Sequence, residues 1–214
     1  MIRITPCALT QQTLDGLAEF QNAVDAEIEY ARRIKLAART FTARNRPRNA
    51  VFVEVRSALN GMCAGVRRCM YCEDSRADEI EHYRPKALYP ELVFRWENYL
   101  YSCGPCNLAK KSRFAVRDGM GQIVENERLP KQPIAPPVNG DALLIDPRNE
   151  DPVNFMQLDI AGDTFRFVPT APSGSIAYER TCYTIRVLKL NENDLLPDAR
   201  REAYGNYLAR LKEY

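Results

Sequence analysis

The sequence predicts an α+β domain of low sheet content. Three observations carry that prediction: several segments with apolar residues at three- and four-residue spacing, one pair of alternating segments around a Gly-Asp turn, and two Cys-x-x-Cys pairs with a long loop between them. The chain's 214 residues suffice for a single domain. Hydrophobic residues at 45% and charged residues at 27% are ordinary globular values, which excludes a disordered chain. No apolar run approaches the roughly 20 residues of a membrane span, and the amino terminus carries no export signal, so a cytoplasmic protein without membrane attachment is expected.

In chain order, Leu14, Leu17, Phe20, Val24, Ile28 and Ala31 predict one amphipathic helix over 11–38. It serves either as a core helix or as a docking helix for another subunit. Over 50–62, Val51, Val53 and Val55 alternate like a strand while Val51, Val55, Leu59 and Met62 repeat like a helix, and length favours the helix. Pro130, Pro133, Pro136 and Pro137 read as a connector without regular structure. Met156, Leu158 and Ile160, then Phe165 and Phe167, flank Gly162-Asp163 as a β-hairpin. Two helical stripes close the chain, one from Tyr178 to Leu188 and one from Leu196 to Leu211 after an Asn193-Asp194 cap signal.

Seven cysteines without an export signal argue against disulfides, and the odd number agrees. Cys69-x-x-Cys72 and Cys103-x-x-Cys106 can each offer two thiolates to one tetrahedral ion, which predicts a closed structural Zn²⁺ site. A redox dithiol needs only one such pair, beside a βαβ pattern. Cys7, Cys63 and Cys182 are left as buried small hydrophobes. Inside the loop between the pairs lies the chain's one histidine, in Asp78-Glu-Ile-Glu81-His82-Tyr-Arg84-Pro85-Lys86. The net charge of +2 gives no cationic field, but Arg32 to Arg48 holds seven basic residues and no acid, and Lys110, Lys111 and Arg113 follow the second cysteine pair.

Glu81-His82-x-x-Pro85, then Asn98, then Cys103-x-x-Cys106-Asn107-x-x-Lys110 resemble, in that order, the HNH endonucleases. More narrowly, Cys-x-Tyr-Cys-Glu, Ile-Glu-His-Tyr-Arg-Pro-Lys, Trp-x-Asn-Tyr-Leu and Cys-Asn-x-x-Lys-Lys are similar to the HNH proteins of Septu-type and retron-associated antiphage systems. Leu144-Ile-Asp-Pro147-Arg148 and Leu188-Lys-Leu-Asn191 extend the likeness to roughly residues 60–205. It is weakest over the first helix.

The resemblance implies a ββα-metal core with a treble-clef-like zinc site, embedded in a mostly helical single domain. It divides the chain into an N-terminal helical region (1–62), the nuclease core (63–118), a proline-rich connector (119–140) and a C-terminal hairpin with helices packed on the core (141–214). His82 is then the general base that deprotonates a water, a task suited to a neutral imidazole. Glu81 and Asn107 match the ligand positions of a catalytic Mg²⁺ or Mn²⁺. Asn98 matches the asparagine that orients the histidine-bearing loop. Lys110, Lys111, Arg113 and Arg84 are expected to bind nucleic acid, DNA by default and RNA as the other possibility. A partner ATPase is implied. Two departures touch the metal site: glutamate stands where aspartate is more frequent, and Asn107 replaces the final histidine. A non-catalytic zinc module binding nucleic acid or protein is the alternative, which has no need of Glu81, His82 and Asn107 around one phosphate.

Overall fold

In a computed structural model, residues 1–129, 131–192 and 195–213 are described. The expectations that rested on Pro130 and on the Asn193-Asp194 cap lie outside them. Helix and strand are mixed, compatible with α+β. Among the described residues, no helix is long and apolar enough to cross a membrane.

The first amphipathic stripe folds as two helices rather than one, α1 (Gln11–Asp25) and α2 (Tyr30–Arg44). A straight helix over 11–38 would run about 42 Å, too long to lay both ends on one small core. The break lets Phe20 and Phe41 both reach Phe94. Ile28, counted in the apolar stripe, sits in the break and is 94% exposed. Arg33 reaches back from α2 to Asp25 at 3.2 Å. The next helix, α3 (Ala50–Met62), forms as length predicted, capped by Asn49 and burying Phe52, Val55, Leu59 and Met62. Thr10 caps α1, and the Thr10 and Thr13 hydroxyls both donate to Glu54 Oε2 of α3. The two helices approach closely at Gly16, where a Cβ would lie 2.6 Å from Val51 Cγ2.

Beyond α3 come β1 (Glu79–His82) and β2 (Tyr99–Ser102), antiparallel with Glu79 opposite Ser102 and His82 opposite Tyr99. A short helix, α4 (Gly104–Lys110), follows at once. Phe20, Phe41, Phe52, Phe94 and Tyr99 form an aromatic cluster under β1 and β2, and the His82 ring lies edge-on to Phe41 and Tyr99. The site is therefore set into the core and not laid on it.

The region expected to be a connector contains a strand. β3 (Phe114–Arg117) pairs with β4 (Ile123–Asn126) on one side and β5 (Asp141–Ala142) on the other. Asn126 closes the proline-rich excursion by bonding both N–H and C=O of Val138. Proline spacing had masked a sheet whose strands are only two to four residues long. The predicted hairpin is present as β6 (Met156–Leu158) and β7 (Phe167–Pro169). α5 (Ile176–Val187) ties to the core through Tyr183, which accepts from Ala115 N, and Thr184, which accepts from Ile145 N. In α6 (Leu195–Leu211) only Leu196 and Pro197 are buried, while Tyr207 and Leu211 of its apolar stripe are exposed. Arg200 donates to Phe165 O and Leu190 O, and Tyr204 packs its ring on the buried Phe165, 5.7 Å between centroids.

Candidate metal and acid-base site

Two centres flank α4. On one side Cys69, Cys72, Cys103 and Cys106 are buried with their sulfurs within 4.8 Å of one another. Cys72 Sγ and Cys103 Sγ are 3.8 Å apart. A tetrahedron with metal–sulfur bonds of 2.3 Å has edges of about 3.8 Å, so the donor set fits a metal ion such as zinc. The other three cysteines are not the buried hydrophobes expected: Cys7 is exposed, and Cys63 and Cys182 are only partly covered.

On the other side, a cavity of about 290 Å³ is walled by Glu81, His82, Lys86, Asn107 and Lys111, with Ile34 and Ala38 of α2 opposite. His82 is 2% exposed. Its Nε2 lies 3.0 Å from the carbonyl oxygen of Val93. A carbonyl only accepts, so Nε2 carries the proton and Nδ1 presents its lone pair. Burial, and then the charge of Lys86, hold the His82 pKa well below its usual range. The ring is neutral at pH 7.

Asn98 does not touch that ring. Its Oδ1 accepts from Arg84 N at 2.7 Å and its Nδ2 donates to Arg84 O and Leu92 O, both at 3.0 Å. It thereby brackets the loop that carries Val93, the residue that does hold the imidazole. Arg148, stacked 4.5 Å over Trp96, donates to Trp96 O and Tyr99 O and secures the far end of the same bracket. The tautomer is set by a backbone carbonyl, which no side-chain pattern announces.

Glu81 and Glu79 share one face of β1, turned towards α4. Glu81 is buried, and its Oε1 is 2.6 Å from Lys110 Nζ. Asn107 donates through Nδ2 to Glu79 Oε2, leaving its Oδ1 directed elsewhere. Among the described residues, Glu81 Oε2 and Asn107 Oδ1 accept no hydrogen bond from protein. Carboxylate and amide oxygens are the donor types that hard divalent cations take. Glu79 was missed in the sequence, although its alternation with Glu81 is the signal that places both on one strand face.

The basic residues are distributed differently from expectation. Lys110 is fully buried and donates to Glu81 and to His82 O, so it points inward and not to the surface. Arg113 donates to Ala109 O and Val187 O and joins α4 to α5. Lys111 alone of the three is exposed at the cavity wall. Arg84 lies over the rings of Tyr89 and Phe114 and lines a separate cavity of about 760 Å³ with Arg117 and Arg180. In the long basic run, Arg32 and Arg33 pair with acids, and Lys35 and Arg39 are exposed on α2 beside the cavity-lining Ile34 and Ala38.

No protein-family model matches the chain. Over 45 residues it is 47% identical to Septu protein PtuB of Bacillus thuringiensis, an alignment that covers 19% of this chain and 18% of that protein. Over 125 residues it is 28% identical to Septu protein PtuB of Bacillus mycoides (strain KBAB4), covering 50% and 39%. The chain is similar to Septu proteins. It spans less than two fifths of the length of these relatives. The likeness supports the Septu side of the resemblance, and the names of the relatives say nothing of a nuclease or of zinc.

Proposed function

We propose that the protein is a metal-dependent endonuclease of the HNH type, hydrolysing phosphodiester bonds in DNA or RNA, and that it acts in antiphage defence beside a partner ATPase. The observation that carries this reading is the imidazole of His82, neutral, with Nε2 committed to Val93 O and Nδ1 free, on the wall it shares with the open oxygens of Glu81 and Asn107. A structural histidine uses both nitrogens or points one at solvent. Here one nitrogen is anchored, the other has no protein partner among the described residues, and the ring lines the cavity with Glu81 and Asn107.

In the proposed reaction His82 Nδ1 takes a proton from water, the water oxygen bonds to phosphorus, and the bond from phosphorus to O3′ breaks. The products are a 5′-phosphate and a 3′-hydroxyl, whose proton comes from solvent. When bound by Glu81 and Asn107, a divalent ion would neutralise charge on the phosphate and on the departing oxygen. Lys110 keeps the Glu81 carboxylate in place by binding one of its two oxygens. The β1-β2-α4 succession is compatible with the metal core of that family, and the four thiols would hold its structural zinc.

The defining experiment incubates the protein with plasmid DNA and with structured RNA, with Mg²⁺ or Mn²⁺ and with chelator. Metal-dependent cutting is expected from the wild type. His82→Gln should cut at least about 10²-fold more slowly while retaining its zinc. Wild-type cutting by that variant, or no cutting of either polymer by the wild type with its partner present, removes the nuclease reading and leaves a zinc-binding interaction module.

A further inference from the structure

Among the described residues, two cations line the cavity beside His82 without an ion pair, Lys86 and Lys111, and Lys86 is the more buried of the two. Pro85 starts a turn in which Leu88 N and Tyr89 N both bond to its carbonyl, and that turn swings Lys86 back over the site. Lys86 lines the cavity with Glu81, His82, Asn107 and Lys111. Its Nζ stands 5.3 Å from the centre of the Phe41 ring, the ring that also packs on His82. Among the described residues, Lys86 makes no hydrogen bond and no ion pair.

The two acids whose charges act on it, Glu81 and Glu79, are each bonded to another residue, Glu79 to Asn107. Glu81 is bonded to Lys110 at 2.6 Å, and Lys110 has no surplus charge to offer because its ammonium is fully buried between Glu81 and His82 O. Burial lowers the Lys86 pKa by more than the nearby charges of Glu81 and Glu79 raise it. With His82 neutral, the acids Glu79 and Glu81 face the three ammonium groups of Lys86, Lys110 and Lys111, which leaves the cavity net positive. Such a place is stabilised by an anion.

We propose that Lys86 is the contact for the substrate's phosphate: its ammonium donates to a non-bridging oxygen of the phosphodiester that His82 hydrolyses. This rests on the nuclease reading for the identity of the anion and on the geometry of the cavity for its position. Lys86 replaces Lys110 in the role that sequence order had suggested. The difference is that Lys86 is free and faces the cavity, whereas Lys110 is spent. A lysine here acts as a point charge on the phosphate, and its loss should fall on the chemical step more than on general affinity, which exposed cations such as Lys35 and Arg39 on the rim can sustain.

The test compares Lys86→Met, Lys86→Arg and Lys111→Met in the zinc-loaded protein. With whichever polymer the wild type cuts, Lys86→Met should lose about 10²-fold or more in single-turnover rate at saturating substrate, with zinc content unchanged. Lys86→Arg should recover most of that loss, and Lys111→Met, at the exposed edge of the same wall, should lose less in rate than Lys86→Met. An undiminished rate in Lys86→Met overturns the proposal while leaving the nuclease intact. If the wild type cuts nothing, a second arm decides independently: inorganic phosphate is titrated into protein with ¹³C-methylated lysines, and the signal absent from Lys86→Arg is followed. A saturable shift of that signal supports the phosphate site. Its failure to move overturns the proposal even if Lys86→Met proves too unstable to assay.

Discussion

The cysteine cluster and the histidine cavity share one seven-residue helix and have opposite characters. Cys106 faces the first, Asn107 lines the second and Lys110 bonds to its Glu81, and a helix as short as α4 depends on tertiary contacts to form. The cluster turns every donor atom inward to a single point. The cavity keeps one nitrogen of His82, one oxygen of Glu81 and the ammonium of Lys86 uncommitted. What the comparison teaches is a division of labour: satisfied groups hold α4 in place, and unsatisfied groups on its other side are left for an outside molecule.

The largest effect should follow from breaking the satisfied side. Cys106→Ser should lose the metal and with it the local fold, because structural-zinc binding is worth on the order of 10 kcal/mol to small sites. Metal content by mass spectrometry and a thermal melt measure this, and a metal-free wild type with an unchanged melt would remove zinc from the account. Next, Lys110→Met should destabilise by about 3–5 kcal/mol, since it strands the buried Glu81 carboxylate. The double variant Lys110→Met with Glu81→Gln should recover much of that in denaturant unfolding. If the double variant is no better than the single one, the ion pair is not the cause.

A smaller effect on stability is expected on the open side. Asn107→Ala removes a half-buried amide whose one bond goes to exposed Glu79, so unfolding should change by no more than about 1 kcal/mol. Cleavage should fall and shift to higher divalent-ion concentration, and a variant cutting normally at low Mg²⁺ would separate Asn107 from the metal. The smallest change sharpens the contrast at longer range. Neutralising Lys35 and Arg39, on the helix that lines the cavity, should reduce the salt slope of duplex binding by up to about 0.9 per lost phosphate contact. Neutralising Arg68, which donates to Glu73 O and Asp74 O on the cysteine side, should leave the slope unchanged.

The outcome of reading the sequence divides along the same line. Cys69, Cys72, Cys103 and Cys106 were legible because a C-x-x-C spacing has one dominant use in a chain of this kind, and the sulfurs do converge. α3 was legible because thirteen residues exceed the length of most strands. The break between α1 and α2 was not, since a 3.6-residue period carries through Ile28 without any proline or glycine to interrupt it, and only the need to bring Phe20 and Phe41 to Phe94 forces the turn. β4 was hidden by its two-sided polarity and by the prolines that follow. Around the candidate site, the directions of the side chains were not legible, and Glu79 was missed. Lys110 follows Asn107 by three positions and so shares its helical face, which turns it to Glu81, whereas Lys86 is brought back to the cavity by a turn that begins at proline.

Between His82 and Asn98 the chain has two short 3₁₀ turns and otherwise no regular structure, and such segments are ordinarily among the first to open in a folded domain. The Asn98 bracket gives this one a clock. The amide of Arg84 is bonded to Asn98 Oδ1 and that of Tyr83 to Asn98 O, so neither proton can exchange with solvent until the bracket releases. Val93 is held separately, by the Tyr99 hydroxyl donating to its carbonyl at 2.8 Å. Deuterium uptake at these two amides therefore times how often the loop after His82 parts from Asn98, a rate readable in the protein alone before any substrate is known.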